Sequence, residues 1–468
     1  MSWVSGLERL IVFLLGDFMA TPRAAIVVQP TLLARLEEAR SRTDSLFNLL
    51  PPNSFYDRPI PERHRLIFYL GHLEAFDQNL LSGPLGLKSP DTTLDKLFAF
   101  GIDPVGGGLP TDVPSDWPNI GVVEAYKRGV RERLDAKLQD RGGLSSQEPA
   151  LIDGTLLQVA IEHRLMHAET LAYLLHNLPV DRKTPQPSPY ADLSVEPERR
   201  QAAIPSGNAT LGQTRMGGGS FGCDNEFEEQ RVFVPGFSID VFPVTNGEYL
   251  KFVQAGGYED PQHWAKEDWD WKIQQRLNHP FFWAPQLNSR SSDVAMLWNY
   301  RAMFGTMPLP ESWPVYVSHA EASAFARWAK KKLPTEAQWH RAAYGTPQGP
   351  EQEYPWGDAP PESHHGNFHH QRWDPSPVDA HSAGASAFGV LDLLGNGWEW
   401  TSTPFGPLDG FKPFPFYRGY SADFFDGKHF VMKGGSARTD ACMVRRSFRN
   451  WFQPHYPYAY ATFRCVEE

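Results

Sequence analysis

Cysteine is scarce: the 468 residues hold three, Cys223, Cys442 and Cys465. So sparse, odd and widely spaced a set provides no disulfide framework and suits a reducing cytoplasm. It also excludes a zinc site made only of thiolates. Long apolar runs are missing as well. No stretch reaches the ~20 residues needed to cross a bilayer, so no membrane partner is expected. The early run from Leu10 to Leu15 is short, meets Asp17 and has no small-residue cleavage site behind it. That argues against an export signal, and a cytoplasmic location is expected. Basic charge is in deficit, with 44 Lys and Arg against 55 Asp and Glu and a net charge of −11. No phosphate-neutralising face is expected, and with it no nucleic-acid partner.

What remains is the composition of a folded protein, 41% hydrophobic and 21% charged. Aromatics are plentiful, with 15 Trp and 30 Phe, enough for pockets as well as for a core. A chain of this length divides into two or three domains. Residues 1–27 read as an N-terminal extension, and 28–180 as helical. Leu66, Tyr69, Leu73, Phe76 and Leu80 recur at three- and four-residue spacing, the mark of a buried helix face. A Gly- and Pro-rich loop runs from Gly101 to Pro118, and Glu124 to Lys137 reads as a charged amphipathic helix. Ser145 and Glu148 have capping-box spacing and Pro149 suits a first turn. A long periodic segment then runs to Asn177, where Pro179 stops it. Together these predict an antiparallel helical bundle. Residues 181–207, rich in Pro and charge and without period, read as a linker. From 208 to 468, Gly-rich turns, short strands and many Trp predict an irregular α+β domain. One clear helix is expected there from Ala320 to Lys331, and another after Thr335.

The chemistry-bearing string is His163-Arg-Leu-Met-His167-Ala-Glu169. Two histidines four apart on a helix face the same way, which lets two imidazoles reach one metal ion. Arg164 stands where zinc proteases of the His-Glu-x-x-His kind carry their general base, which argues against that chemistry. Glu169 is placed to accept a hydrogen bond behind the ligands. For a third ligand, His72 lies at the edge of the upstream apolar stripe. His64 competes, but its charged neighbours suggest exposure, and His176 falls on a different face. Three neutral imidazoles suit Zn or Fe(II) and leave positions open for substrate. The loop cluster His364, His365, His369 and His370 lacks rigid spacing and is not expected to bind metal. The acidic loop Asp224 to Glu229 fits no EF-hand.

Two sets of strings carry a resemblance. The first half, with His-x3-His-x-Glu and an upstream Gly71-His72, resembles a DinB-type four-helix bundle. The second half resembles the formylglycine-generating-enzyme fold, a C-type-lectin-like domain. Its matching strings include Met216-Gly-Gly-Gly-Ser-Phe-Gly222, Phe242-Pro-Val-Thr-Asn246, Leu333-Pro-Thr-Glu-Ala-Gln-Trp339, Gly395-Asn-Gly-Trp-Glu-Trp400, Lys433-Gly-Gly-Ser436 and Phe463-Arg-Cys465. In this order the chain is similar to the ergothioneine-type sulfoxide synthases, a family that ovothiol and selenoneine synthases share. The resemblance implies a multidomain α and α+β protein. It implies Fe(II) held by His72, His163 and His167, with dioxygen as co-substrate. The implied reaction joins a thiol donor, cysteine or γ-glutamylcysteine, to an imidazole carbon of hercynine (trimethylhistidine). Formylglycine-generating enzymes themselves match less well, because their copper site needs two close thiolates and Cys442 stands alone in that segment.

The resemblance also implies that Asn450 and Trp451 contact hercynine, whose quaternary ammonium suits an aromatic face. A catalytic tyrosine is expected, with Tyr417 and Tyr420 in the right part of the chain. One departure concerns the donor. Family members that use γ-glutamylcysteine carry an Asp directly after that Trp and an Arg four residues further on. Here those positions hold Phe452 and Tyr456. Free cysteine is therefore favoured. The alternatives are a selenosugar donor, as in selenoneine synthases, and a zinc-dependent thiol S-transferase.

Overall fold

The computed structural model describes residues 30–99, 109–140, 148–187, 195–215, 221–286 and 297–468. The expected extension 1–27, residues 101–108 of the 101–118 loop, Ser145 and the Met216–Ser220 part of the Gly-rich string lie outside them. The first half is the expected bundle. Its long helices are α1 (Pro30–Phe47), α2 (Leu66–Leu81), α4 (Ile120–Gln139) and α6 (Thr155–Asn177), with short α3 (Thr92–Leu97) and α5 (Pro149–Ile152) between. α1 packs on α6, and α2 packs on both α4 and α6. Leu70, Leu73, Val130, Leu134, Leu171 and Leu174 are buried at these contacts. Each contributes about 1.5–3 kcal/mol of burial.

The segment from Pro149 to Asn177 is two helices rather than one. Gly154, at φ +83°, breaks the run and starts α6. Only a glycine takes that backbone conformation without strain. α6 itself is buried on nearly every side, because the bundle covers one flank and the second domain the other.

That second domain is built from short sheets joined by long loops. β1 (Gln201–Ile204), β4 (Phe237–Asp240) and β12 (Val466–Glu467) form one, in the order β1-β4-β12. β1 lies inside the expected linker, so the second domain begins earlier than residue 208; a four-residue strand with one buried side chain leaves little periodic trace. β2 (Gly207–Leu211) pairs with β3 (Gln230–Val234), and β5 (Trp283–Pro285), β6 (Trp298–Ala302) and β7 (Gly305–Pro308) form a meander. The central sheet runs β10-β9-β8-β11, from β8 (Trp398–Pro404), β9 (Phe430–Lys433), β10 (Asn450–Phe452) and β11 (Ala461–Thr462). The expected helices appear as α9 (His319–Trp328) and α10 (Glu336–Tyr344), each opened by a capping box, Ser318 with Glu321 and Thr335 with Gln338. Two further helices, α7 (Asn246–Gln254) and α8 (Lys266–Gln274), were not expected from the pattern. One hydrophobic core runs through both halves, joining Leu171 and Leu174 to Phe282, Trp398 and Tyr460. All three cysteines are free.

Candidate metal centre

α2 delivers His72 and α6 delivers His163 and His167, one turn apart. One ring nitrogen from each lies within 4.8 Å of the other two, close enough to converge on a single ion. All three rings are buried. Their planes are fixed by neighbours: Phe76 stacks on His163 at 3.5 Å, and Phe68 on His72 at 4.9 Å. His72 donates Nδ1–H to the carbonyl of Phe98 at 2.7 Å, which leaves Nε2 as its lone-pair atom. Nδ1 of His163 and of His167 has no hydrogen-bond partner among the described residues. Burial disfavours the imidazolium form. It draws His72 down to about 4, and with the neighbouring imidazoles it draws His163 and His167 well below the ordinary histidine range. Neutral imidazole is the ligating form. The donor set, three neutral nitrogens and no carboxylate, fits a divalent transition ion.

A pH dependence follows. His72 titrates near 6.5 in the unfolded chain and about 4 in the folded one. Between those values the unfolded chain binds more protons, so folding stability falls as the pH drops from 6.5 towards 4. Metal-free protein is expected to melt at a lower temperature at pH 5 than at pH 7, and H72F to narrow that gap. An unchanged gap in H72F would mean that His72 is not held neutral.

The second domain supplies the wall opposite α6. Half-buried Tyr417 sets its ring edge-on to Phe76 at 5.0 Å and to His163 at 6.2 Å. Tyr420 follows at 5.4 Å from Tyr417, and its hydroxyl donates to Met166 Sδ, on the ligand helix, at 3.6 Å. Trp451 lies 5.5 Å beyond Tyr420 and stacks on Phe405 at 4.3 Å. The line outward from the triad is therefore Tyr417, Tyr420, Trp451. Burial raises both phenols above their ordinary range, so they stay protonated at neutral pH. Asn450 turns its Oδ1 back to accept from the Trp451 amide at 2.8 Å. Phe452 is the next residue of β10, so it points the other way and stacks on Tyr456 at 5.1 Å. Tyr456 accepts from Arg63 Nε at 2.8 Å and approaches Tyr173 of α6 at 6.2 Å.

Glu169 is a correction. Its carboxylate accepts from Trp398 Nε1 at 2.8 Å, Ser436 Oγ at 2.5 Å and Thr439 Oγ1 at 2.7 Å. It ties α6 to the second domain and supports none of the ligand rings; the residue behind His72 is Phe98, through a backbone carbonyl that no side-chain pattern announces. His64 is half-buried rather than exposed, its ring tilted against Phe68 at 4.2 Å, and outside the triad. His369 pairs with Asp440 at 3.0 Å and His365 stacks on Trp356 at 4.1 Å, so the loop histidines do not converge. In the acidic loop, Asp224 accepts from Ser421 at 2.6 Å and Glu226 from Ser447 at 2.6 Å. Sequence reasoning missed Arg445, which grips Glu162 of α6 through both terminal nitrogens, at 2.7 and 2.9 Å, and Glu226 through Nε at 2.8 Å. Burial alone would lower its pKa, but the two carboxylates hold it well above the ordinary range.

Comparison with known proteins bears on this arrangement. The Sulfatase-modifying factor enzyme 1-like domain family matches residues 191–468, and the DinB superfamily matches residues 35–171. Hercynine oxygenase of Mycolicibacterium smegmatis is 34% identical over 355 residues, 74% of this chain and 76% of the relative. The chain belongs to the hercynine oxygenase family. The Mycobacterium tuberculosis hercynine oxygenase is 39% identical over 246 residues, 52% of this chain and 55% of its own length. Ergothioneine biosynthesis protein 1 of Neurospora crassa is 29% identical over 501 residues, 90% of this chain and 56% of its own length. The chain thus spans about half the length of these last two relatives.

Proposed function

We propose that this protein is a mononuclear non-haem Fe(II) enzyme that uses dioxygen to join sulfur from a thiol donor to an imidazole carbon of hercynine. The observation that carries the reading is the triad itself: three buried neutral imidazoles from the bundle facing two protonated tyrosines of the second domain. Iron held there would supply a redox centre at which dioxygen and a thiolate can be brought together. The chain's own groups do the rest. The imidazoles would hold the ion without adding negative charge. Tyr417 and Tyr420 stay protonated, and Tyr417, whose ring centre lies 6.2 Å from that of His163, is the nearer phenol to serve as proton donor. Trp451, with Tyr420 at 5.5 Å and Phe424 at 5.5 Å, offers aromatic surface for a quaternary ammonium.

The donor reading rests on Phe452 and Tyr456. Where γ-glutamylcysteine users carry a charged clamp, this chain has a stacked aromatic pair. Arg63 lies 4.9 Å over the Tyr456 ring, so an Arg at 456 would face a like charge. This favours a small donor, free cysteine, and leaves a selenosugar as the competitor that an aromatic face would also suit.

The test is anaerobic loading with Fe(II), then oxygen uptake and mass spectrometry with hercynine plus cysteine, γ-glutamylcysteine or a selenosugar. A hercynine-dependent adduct with one donor is the expected result. No uptake with any donor, together with tight zinc binding, would favour the S-transferase and overturn the oxidative reading. W451A is expected to raise the KM for hercynine by about tenfold and to leave the donor KM unchanged; equal changes in both would remove Trp451 from the hercynine contact.

A further inference from the structure

We infer that Arg164 is a positioning residue for the metal centre: it ties α2 to α6 and so sets where His72 stands relative to His163 and His167. The inference rests on reading the triad as a metal site. Arg164 is fully buried. Its Nη1 donates to Glu74 Oε1 at 3.0 Å, and its Nη2 donates to Asp77 Oδ2 at 2.7 Å and to the carbonyl of Leu73 at 3.1 Å. All three acceptors belong to α2, one, two and five residues after His72. Arg164 itself directly follows His163. One side chain thus joins the stretch that carries one ligand to the stretch that carries the other two.

The same carboxylates draw in the remaining helices. Arg131 of α4 donates to Glu74 at 2.7 Å and to Asp44 of α1 at 2.6 Å. Arg40 of α1 stands 3.8 Å from Asp77 and donates to Asp135 of α4 at 2.6 Å. All four long helices of the bundle therefore meet in one ionic knot, whose centre, Arg164, Glu74 and Asp77, is buried.

Stability alone does not explain such a knot. Buried ion pairs repay their desolvation poorly, and well-packed apolar side chains often serve as well. What an ionic fork supplies is register. A planar guanidinium that must meet two carboxylates and a carbonyl accepts one placement of the helices, whereas Leu against Leu accepts several. A three-histidine centre drawn from two helices needs that: sliding α2 along α6 by one turn, 5.4 Å, would carry His72 out of reach of an ion held by the other two.

The test is a Co(II) titration of the metal-free full chain, read by visible absorption, on wild type, R164K and D77N. R164K keeps the charge and loses the fork, so it separates placement from field. The expected result is Co(II) binding weakened at least tenfold in both variants, with altered absorption bands and unchanged helical circular dichroism. A folded R164K that binds Co(II) within twofold of wild type, with the same spectrum, overturns the inference. If R164K does not fold, D77N decides by the same criterion. Failure of wild type to bind Co(II) would overturn the metal-site reading, and this inference with it.

Discussion

Replacing His167 with alanine is expected to remove divalent-metal binding and hercynine-dependent oxygen uptake together. Loss of a partner behind a ligand costs about 10–100-fold in affinity or activity; loss of one ligand in three is expected to exceed the upper end. The fold should survive, because H167A deletes a neutral ring and strands no charge. Metal content per chain and an oxygen electrode measure the two effects. H64A is the control, since His64 lies outside the group of three and packs on Phe68. Full metal content and full uptake in H167A would remove the triad from the chemistry.

The second large effect is on stability. Arg445 is the counter-charge of two buried carboxylates, Glu162 from the bundle and Glu226 from the second domain. R445M leaves both facing each other without it. Breaking a buried pair from one side costs about 3–5 kcal/mol. For a unit of this size that corresponds to a fall in melting temperature of roughly 3–5 °C. R445K should recover only part of the loss, because an ammonium cannot grip two carboxylates as a fork does. A melting temperature within about 2 °C of wild type would show that the domains are held by their apolar contacts alone.

The contrast between these two sites explains what could be read from the sequence. The His163–His167 spacing is local, and helical geometry turns it into shared direction. His72 was legible because an apolar stripe orients its helix. The Arg445 grip was not: its partners lie 283 and 219 residues away along the chain, and no periodicity relates them. Glu169 was misread for the same reason, since its position beside the ligands is visible in the sequence while Trp398, Ser436 and Thr439 are not visible as its neighbours. α8, with Trp269, Asp270, Trp271 and Lys272 in succession, shows no clean apolar stripe and so escaped detection. The second domain was recognisable by its strings rather than by its pattern, because strands of two to seven residues are too short to carry a period.

α6 has one further consequence. Glu162, His163 and Arg164 are consecutive, and they serve the second domain, the metal centre and the bundle in turn. Glu169 and His176, the latter hydrogen-bonded to Tyr460 at 3.1 Å, repeat the first of these contacts at seven-residue intervals. Each residue turns a helix by about 100°. One amino acid gained or lost between 164 and 169 would therefore turn the contacts of Glu169 and His176 away from those of Glu162, His163 and Arg164. The spacing between these contacts is thus as much a part of the site as the side chains that make them.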